Sequence, residues 1–476
     1  MYFKIGDNIF FRKYDEYGLL VDNSLYGYRL LSDNTLPLEE KYVSPSASVI
    51  LSMLSRKPKH IDDIIAKLMR IFVGVGYDEL KKDVVEFYKE LSDEGYIVYG
   101  DSPENCQTLF LLNKRDGAVH RKGKIAKEGD SKKYSLRSIH VEIVNVCNEK
   151  CVHCYIPHDY KTDVMSSEMF DSIIEQGRGM NIINITISGG EPLLHKDIIA
   201  FMHKCMKADL SVNLLTNLVC LTDELLKEMK KNPLLSVQTS LYSMNPSIHD
   251  SITKLQGSFY KTRDNILRLL SVGIPVQISC PVMQQNKSTF YSVVEWGKMH
   301  DIAVDTNYVI FGAYDVCNSN LVNRLSLDDI KDVFDKVNSS SDIRFLIEKA
   351  KHVCMYSKQE PVCSVCRYNI CIAANGDVFP CVGWEKKVVG SLKKDTLKNI
   401  WYNADGIRKL RNITNARFHK CISCAHRGYC KICMMINFNE NPDGNIFDVN
   451  EFYCKVAEII HFKADEFIKQ NGLEEK

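Results

Sequence analysis

The chain has 476 residues, with 61 Lys/Arg against 60 Asp/Glu and 18 Cys. That length gives room for roughly two to four domains with real apolar cores, and the balanced charge excludes a global pull toward nucleic acid or an anionic membrane. The start Met1-Tyr2-Phe3-Lys4 carries no signal-peptide pattern and no run of eighteen apolar residues occurs, so a cytoplasmic setting is expected, with the cysteines as metal ligands rather than disulfides.

Residues 1–100 read as a small α+β unit. Short β-like pieces at Asn8–Arg12, Gly18–Val21 and Gly27–Leu31 are separated by turn residues, and three helical patterns follow. Ser44-Pro45 supplies the N-cap and first helical residue for Ala47–Leu54, and Ile61–Phe72 comes next. Tyr77–Leu91 then sets Leu80, Val84, Val85, Tyr88 and Leu91 on one stripe. Gly95 ends that helix before a strand at Tyr96–Tyr99, an order that predicts a winged helix-turn-helix over 1–103. Lys114–Lys133 holds eight Lys/Arg against three Asp/Glu with little apolar pattern and is read as part of a linker, 104–136. Beyond it, strand-like runs at Ile139–Asn145, Ile182–Ser188, Leu210–Thr216, Leu235–Leu241, Ile274–Cys280 and Ile302–Ile310 are separated by helical stretches such as Ser166–Arg178. This alternation predicts an α/β fold of βαβ units around a parallel sheet over 137–325. A helical bridge at 326–352 leads into a cysteine-dense region, 353–476.

Directly after the first of these strands comes Cys147-Asn148-Glu149-Lys150-Cys151-Val152-His153-Cys154-Tyr155. Three thiolates on one short loop leave one iron of a [4Fe–4S] cluster without a protein ligand, whereas structural zinc wants a closed set of four. The second strand ends in Ser188-Gly189-Gly190-Glu191-Pro192, where paired glycines permit close approach to the backbone and the glutamate offers an anionic acceptor for an ammonium group. Together the two motifs resemble the radical S-adenosylmethionine (SAM) superfamily. The resemblance implies an open (βα)6 partial barrel in which Cys147, Cys151 and Cys154 hold the catalytic cluster. It further implies that Gly189, Gly190 and Glu191 seat the methionyl amine and that Tyr155 leans toward the adenine. Of the polar residues at strand ends, Asn217 and Ser240 are further cofactor-binding candidates. Gln238-Thr239-Ser240-Leu241-Tyr242, followed by His249-Asp250 and Gly257-Ser258-Phe259, resembles the peptide-modifying branch of that superfamily. Thr253 stands where many relatives have arginine, and His249 reads as a structural hydrogen-bonder.

The C-terminal cysteines form two groups. Cys363, Cys366, Cys371 and Cys381 flank a hairpin signal, Asn375-Gly376, and Cys421-x2-Cys424-x5-Cys430-x2-Cys433 is followed by Cys454. C-x2-C pairs alone fit a zinc ribbon equally well; joined to the hairpin they resemble the SPASM domain, which holds auxiliary [4Fe–4S] clusters. The resemblance implies one ligand set of Cys363, Cys366, Cys381 and Cys433 and another of Cys421, Cys424, Cys430 and Cys454. The hairpin spacing fits both Cys363 and Cys366, so the first set supplies either four thiolates or three with an iron left for substrate. Cys371, midway along an apolar strand, is read as a core thiol. Eleven thiolates for three clusters leave seven cysteines over.

Residues 1–100 hold 13 Lys/Arg against 16 Asp/Glu, the wrong sign for a phosphate-tracking surface. The unit instead resembles the leader-recognition element of natural-product maturases, which adds a peptide as an extra strand. Ser24–Leu31 is the expected edge and Tyr77–Leu91 the groove wall. The three resemblances imply a radical SAM/SPASM maturase of a ribosomally made precursor peptide, with SAM, three [4Fe–4S] clusters and a flavodoxin- or ferredoxin-type electron donor, and with no nucleic acid or membrane partner. The implied reaction is a thioether link from a cysteine sulfur to a carbon. Carbon–carbon or carbon–oxygen crosslinking and formylglycine-type oxidation use the same cluster set, and an iron–sulfur transcription regulator is the non-enzyme alternative.

Overall fold

A computed structural model describes residues 1–30, 37–106, 134–157, 159, 162–338, 340–353 and 358–472. Most of the expected linker, together with Leu31 and Cys354, lies outside the described residues. The chain divides chiefly into one compact unit up to Lys133 and another from Tyr134 onward.

The described residues of the N-terminal unit include two small antiparallel sheets packed with helices. Strands β1 (Tyr2–Ile5), β5 (Lys59–His60) and β6 (Ile97–Gly100) form one sheet in the order β5-β1-β6; β2 (Ile9–Lys13), β3 (Gly18–Asp22) and β4 (Lys41–Val43) form the other. Helix α1 (Pro45–Leu51) is capped by the Ser44 hydroxyl, and α2 (Ile61–Leu68) and α3 (Tyr77–Asp93) follow. The α3 stripe buries Leu80, Val84, Tyr88 and Leu91 against Phe3, Leu51, Ile64 and Ile65, so alternate turns of helix close one core over β1. Gly95, at φ +92°, makes the reversal after α3. The expected strand at Gly27–Leu31 does not form over its described residues. Asp22 accepts hydrogen bonds from the Ser24 amide and hydroxyl and starts a 3-10 turn at Asn23–Leu25 instead.

In the second unit six strands run parallel: β7 (Ser138–Val144), β8 (Asn184–Gly189), β9 (Ser211–Leu215), β10 (Leu235–Ser240), β11 (Val276–Ser279) and β12 (Ala303–Asp305). The last is shorter than expected because the Asn307 side chain accepts from the Val309 amide and turns the chain. Ile139, Val141, Ile143, Ile185, Ile187, Val212, Leu214, Val276 and Ile278 are buried on one face of this sheet. The alternate positions are mostly polar: His140 pairs with Thr186, Glu142 with Ser188, Asn213 with Ser236, Gln238 with Gln277 and Ser240 with Ser279. Side chains bond across that inner face, Ser236 to Asn213 at 3.0 Å and Gln238 to Gln277 at 2.9 Å. The sheet is therefore apolar outside and polar within.

The cysteine-rich region continues the same sheet. Strand β13 (Asn369–Ile372) pairs in parallel with β7, and β14 (Asp377–Phe379) and β15 (Gly390–Ser391) extend it antiparallel. The β13–β14 turn is the expected one, with Gly376 at φ +87°. The bridging segment forms helices Leu327–Val337 and Ser340–Val353; from them Phe334, Ile343 and Ile347 pack with Ala464 of the C-terminal helix Glu451–Gln470. A buried ion pair also joins the segments: Arg324 meets Glu440 at 2.5 Å, and the Gly312 amide, Asn450 amide and Tyr453 hydroxyl donate to the same carboxylate. No described helix is long and apolar enough to cross a membrane.

Candidate metal centre

The loop Cys147–Cys154 leaves β7 and is held by its backbone from three directions. The Lys150 and Val152 amides donate to the carbonyls of Thr253 and Ile252, at the end of helix Pro246–Thr253. The side-chain amide of Asn323 donates to the Val152 carbonyl at 2.8 Å, and that of Asn320 to the His153 carbonyl at 3.2 Å. Tyr314 donates its amide to the Tyr155 carbonyl. Helix Pro246–Thr253 is itself fixed by Asp250, which accepts from the Gly257 and Phe259 amides and the Ser258 hydroxyl. Thr253 bonds to Ser258 at 2.8 Å and is buried, so nothing arginine-like extends from that position. His249 accepts the Tyr242 amide on Nδ1, the structural role expected of it.

Strand ends close around this loop. A Cβ on Gly189 would stand 1.9 Å from the Val144 carbonyl, and one on Gly190 2.3 Å from that of Val146. The paired glycines thus admit the chain's own cysteine-bearing backbone, closer than any side chain would allow. Glu191 is fully buried; Oε1 accepts from the Leu193 amide and Thr216 hydroxyl, and Oε2 from the Asn217 amide at 2.7 Å. Asn217 in turn donates to Asn148 at 2.9 Å and reaches Cys147 Sγ at 4.0 Å. Ser240 bonds to the Tyr242 side chain, whose hydroxyl lies 4.0 Å from Cys151 Sγ and 3.5 Å from His153. Tyr155 lies against Phe311, and its hydroxyl bonds to Glu142. Sequence reasoning missed Tyr242, Asn320 and Asn323 as parts of this centre. Tyr242 falls inside a motif already in view, whereas the asparagines lie some 170 residues from the loop they hold, at separations of 167 and 171.

The donor chemistry fits an iron–sulfur group. None of the described cysteines is in a disulfide. Burial, followed by Glu149 and the other two loop thiols, pushes Cys151 well up, marking a site short of positive charge that iron would supply. Among the described residues no group of three such donors converges on a single ion. A four-iron cube takes three loop thiolates at three of its corners, so the Cys147, Cys151 and Cys154 set suits the cluster.

The C-terminal thiols influence one another electrostatically. Burial pushes Cys366 and Cys381 up to about 12, and each feels Cys363, Cys433 or the other. Burial pushes Cys430 up to about 11, and it feels Cys454, Cys421 and Cys424. Cys371 is a buried thiol as expected, but its register with His140 sets it beside the first group, within reach of Cys381 and Cys366.

Comparison with known families agrees with this layout. Residues 141–297 match the radical SAM superfamily, and residues 363–434 match SPASM, an iron–sulfur cluster-binding domain. The chain is a radical SAM/SPASM enzyme. Its residues 36–97 match the coenzyme PQQ synthesis protein D family. Among curated relatives, the radical SAM chain is 25% identical over 390 residues to the antilisterial bacteriocin subtilosin biosynthesis protein AlbA of Bacillus subtilis, spanning 76% of this chain and 83% of that one. It is 24% identical to an AdoMet-dependent heme synthase of Methanosarcina barkeri, over 62% of this chain and 90% of the relative. In fold it resembles Streptococcus suis SuiB, solved bound to its precursor peptide SuiA, with a TM-score of 0.62 at 13% identity over 95% of this chain and 99% of that one. It also resembles anSMEcpe with bound AdoMet, with a TM-score of 0.55 at 16% identity over 72% and 96%.

Proposed function

We propose that this enzyme modifies a ribosomally made precursor peptide, joining a cysteine sulfur to a carbon of the same peptide as a thioether. The observation that carries the reading is the joining, in one chain, of a PqqD-type domain to a radical SAM core and a SPASM domain. The likeness to AlbA and to peptide-bound SuiB supports it.

In this reading the N-terminal unit, 1–103, is a winged-helix leader-binding domain, with the cores at 137–325 and 353–476. The expected edge at Ser24–Leu31 gives way to β4, which ends its sheet. The set Cys147, Cys151 and Cys154 holds the catalytic cluster; Cys363, Cys366, Cys381 and Cys433 hold one auxiliary cluster, and Cys421, Cys424, Cys430 and Cys454 the other. When bound, the catalytic cluster and SAM together supply a one-electron cleavage that removes a hydrogen atom from the peptide. The chain's own part is positional. Asn320, Asn323 and the end of helix Pro246–Thr253 fix the cysteine loop, and the polar inner strand face offers hydrogen bonds to SAM and peptide. With both its oxygens engaged, Glu191 acts on the SAM ammonium by holding Thr216 and Asn217 in place. Ser240 and Tyr242 border the same space. The electron donor is a flavodoxin or ferredoxin, the setting is the cytoplasm, and neither nucleic acid nor membrane is a partner.

The test is mass spectrometry of a precursor peptide co-expressed with the enzyme. A loss of two hydrogens per crosslink, with tandem fragments placing the bond at a cysteine sulfur, is expected. An unchanged precursor alongside abundant 5′-deoxyadenosine would overturn thioether formation.

A further inference from the structure

Inside the barrel lies an acidic pair for which cluster binding has no use. Glu142 on β7 is 1% exposed, in register with Ser188 of β8 and two residues beyond His140 on the polar inner face. Its carboxyl bonds to the side chains of Tyr155, just past the cysteine loop, and Glu385, in the SPASM domain. Glu142 Oε1 and Glu385 Oε2 are nonetheless sealed from solvent with no hydrogen-bond partner. Two carboxyl groups in contact cannot both ionise cheaply, so the pair holds one proton and one negative charge between them. His140 is pushed down to about 4 by burial and stays neutral, and Cys371, on the adjoining strand, is pushed well up by burial and then by Cys381 and both glutamates. Burial also raises Glu142 above the ordinary carboxylate range, in the direction that suits a base.

We propose that Glu142, with Glu385 sharing its charge, accepts the thiol proton of the peptide cysteine as the thioether closes. The proposal rests on the thioether reading above. Closure breaks one C–H and one S–H bond and makes one C–S bond. The hydrogen atom leaves the carbon to the SAM-derived fragment, and the proton leaves sulfur to Glu142 Oε1. The surplus electron passes to an oxidised auxiliary [4Fe–4S] cluster. A proton released against the inner strand face needs an acceptor there, and Glu142 Oε1, which has no hydrogen-bond partner, is one already desolvated.

The test compares wild type with Glu142→Gln, Glu142→Asp and Glu385→Gln, loaded with iron and given the precursor and SAM. Glu142→Gln is expected to keep its iron and form 5′-deoxyadenosine, while crosslink yield near neutral pH falls at least about tenfold. Yield should recover near pH 9, where a thiol of pKa about 8.5 ionises unaided. Independently of turnover, the infrared carbonyl band of a protonated carboxylic acid should be present in the resting wild type and shifted or lost in Glu142→Gln and Glu385→Gln. Normal crosslinking by Glu142→Gln, no alkaline recovery, or an unchanged band would overturn the proposal. So would loss of iron from Glu142→Gln and Glu142→Asp alike, which would make the pair a scaffold. If wild type itself yields no thioether, it is the functional reading that fails.

Discussion

Replacing Glu440 by alanine tests the ion pair that ties the radical SAM core to the SPASM domain. The Glu440 side chain is 1% exposed and that of Arg324 9%, so the guanidinium has almost no water to turn to. The Gly312 amide, Asn450 amide and Tyr453 hydroxyl lose their acceptor together. Stranding a buried charge in this way costs about 3–5 kcal/mol, and the lost hydrogen bonds are part of that sum rather than additions to it. In a chain of several domains a single melting point is ill-defined, so the measurement is native-state hydrogen exchange over helices Met434–Glu440 and Glu451–Gln470. Protection there should fall by about 100-fold or more, since each 1.4 kcal/mol is roughly a factor of ten. The double variant Arg324→Met/Glu440→Leu, which removes the charge as well as its partner, should regain most of the loss. A change below about tenfold, or a double variant no better than the single one, would refute the assignment of the cost to the uncompensated cation.

Three further outcomes are expected. Gly190→Ala drives a Cβ against the backbone carbonyls of Val146 and Asn145, which cannot give way as a side chain would; local stability should fall by about 3 kcal/mol or more and iron at the Cys147 loop with it, as read by iron content and absorbance. His249 is buried and held near 4 from an ordinary 6.5, so the unfolded chain takes up protons that the native chain refuses. Stability from this group is intact above pH 6.5 and lost as pH falls toward 4, up to about 3 kcal/mol; denaturant titrations of the apoprotein should show a shallower acid slope in His249→Asn. Alanine at Cys421, Cys424, Cys430 and Cys454 together should remove about a third of the iron while the remaining clusters stay, measured against wild type by iron assay and electron paramagnetic resonance.

The parallel strands were legible because each buries one apolar face against helices, and Ile139, Val141 and Ile143 announce this locally. The union of β13 with β7 was not, since no local pattern says which distant strand completes an edge. Gly27–Leu31 looked like a strand by composition, but just before it a single carboxylate, Asp22, captures the turn at Asn23–Leu25. The motif at Gly189-Gly190-Glu191 signalled a close backbone approach without revealing what the glycines approach. Spacing shows that a position must be bare, not whether ligand or backbone fills the gap. Glu142 stayed invisible for a related reason: one acidic residue in a strand means little until Glu385, more than two hundred residues away, stands against it.

The way the asparagine amides and a neighbouring helix end suspend the cysteine loop bears on how the enzyme matures. A zinc finger is shapeless until its ion arrives, and the ion's affinity is spent on ordering the chain. Here the cradle is already cut by contacts that owe nothing to iron, so folding can finish first and cofactor delivery can come last. The protein should accordingly survive without its iron as a folded, reloadable shell.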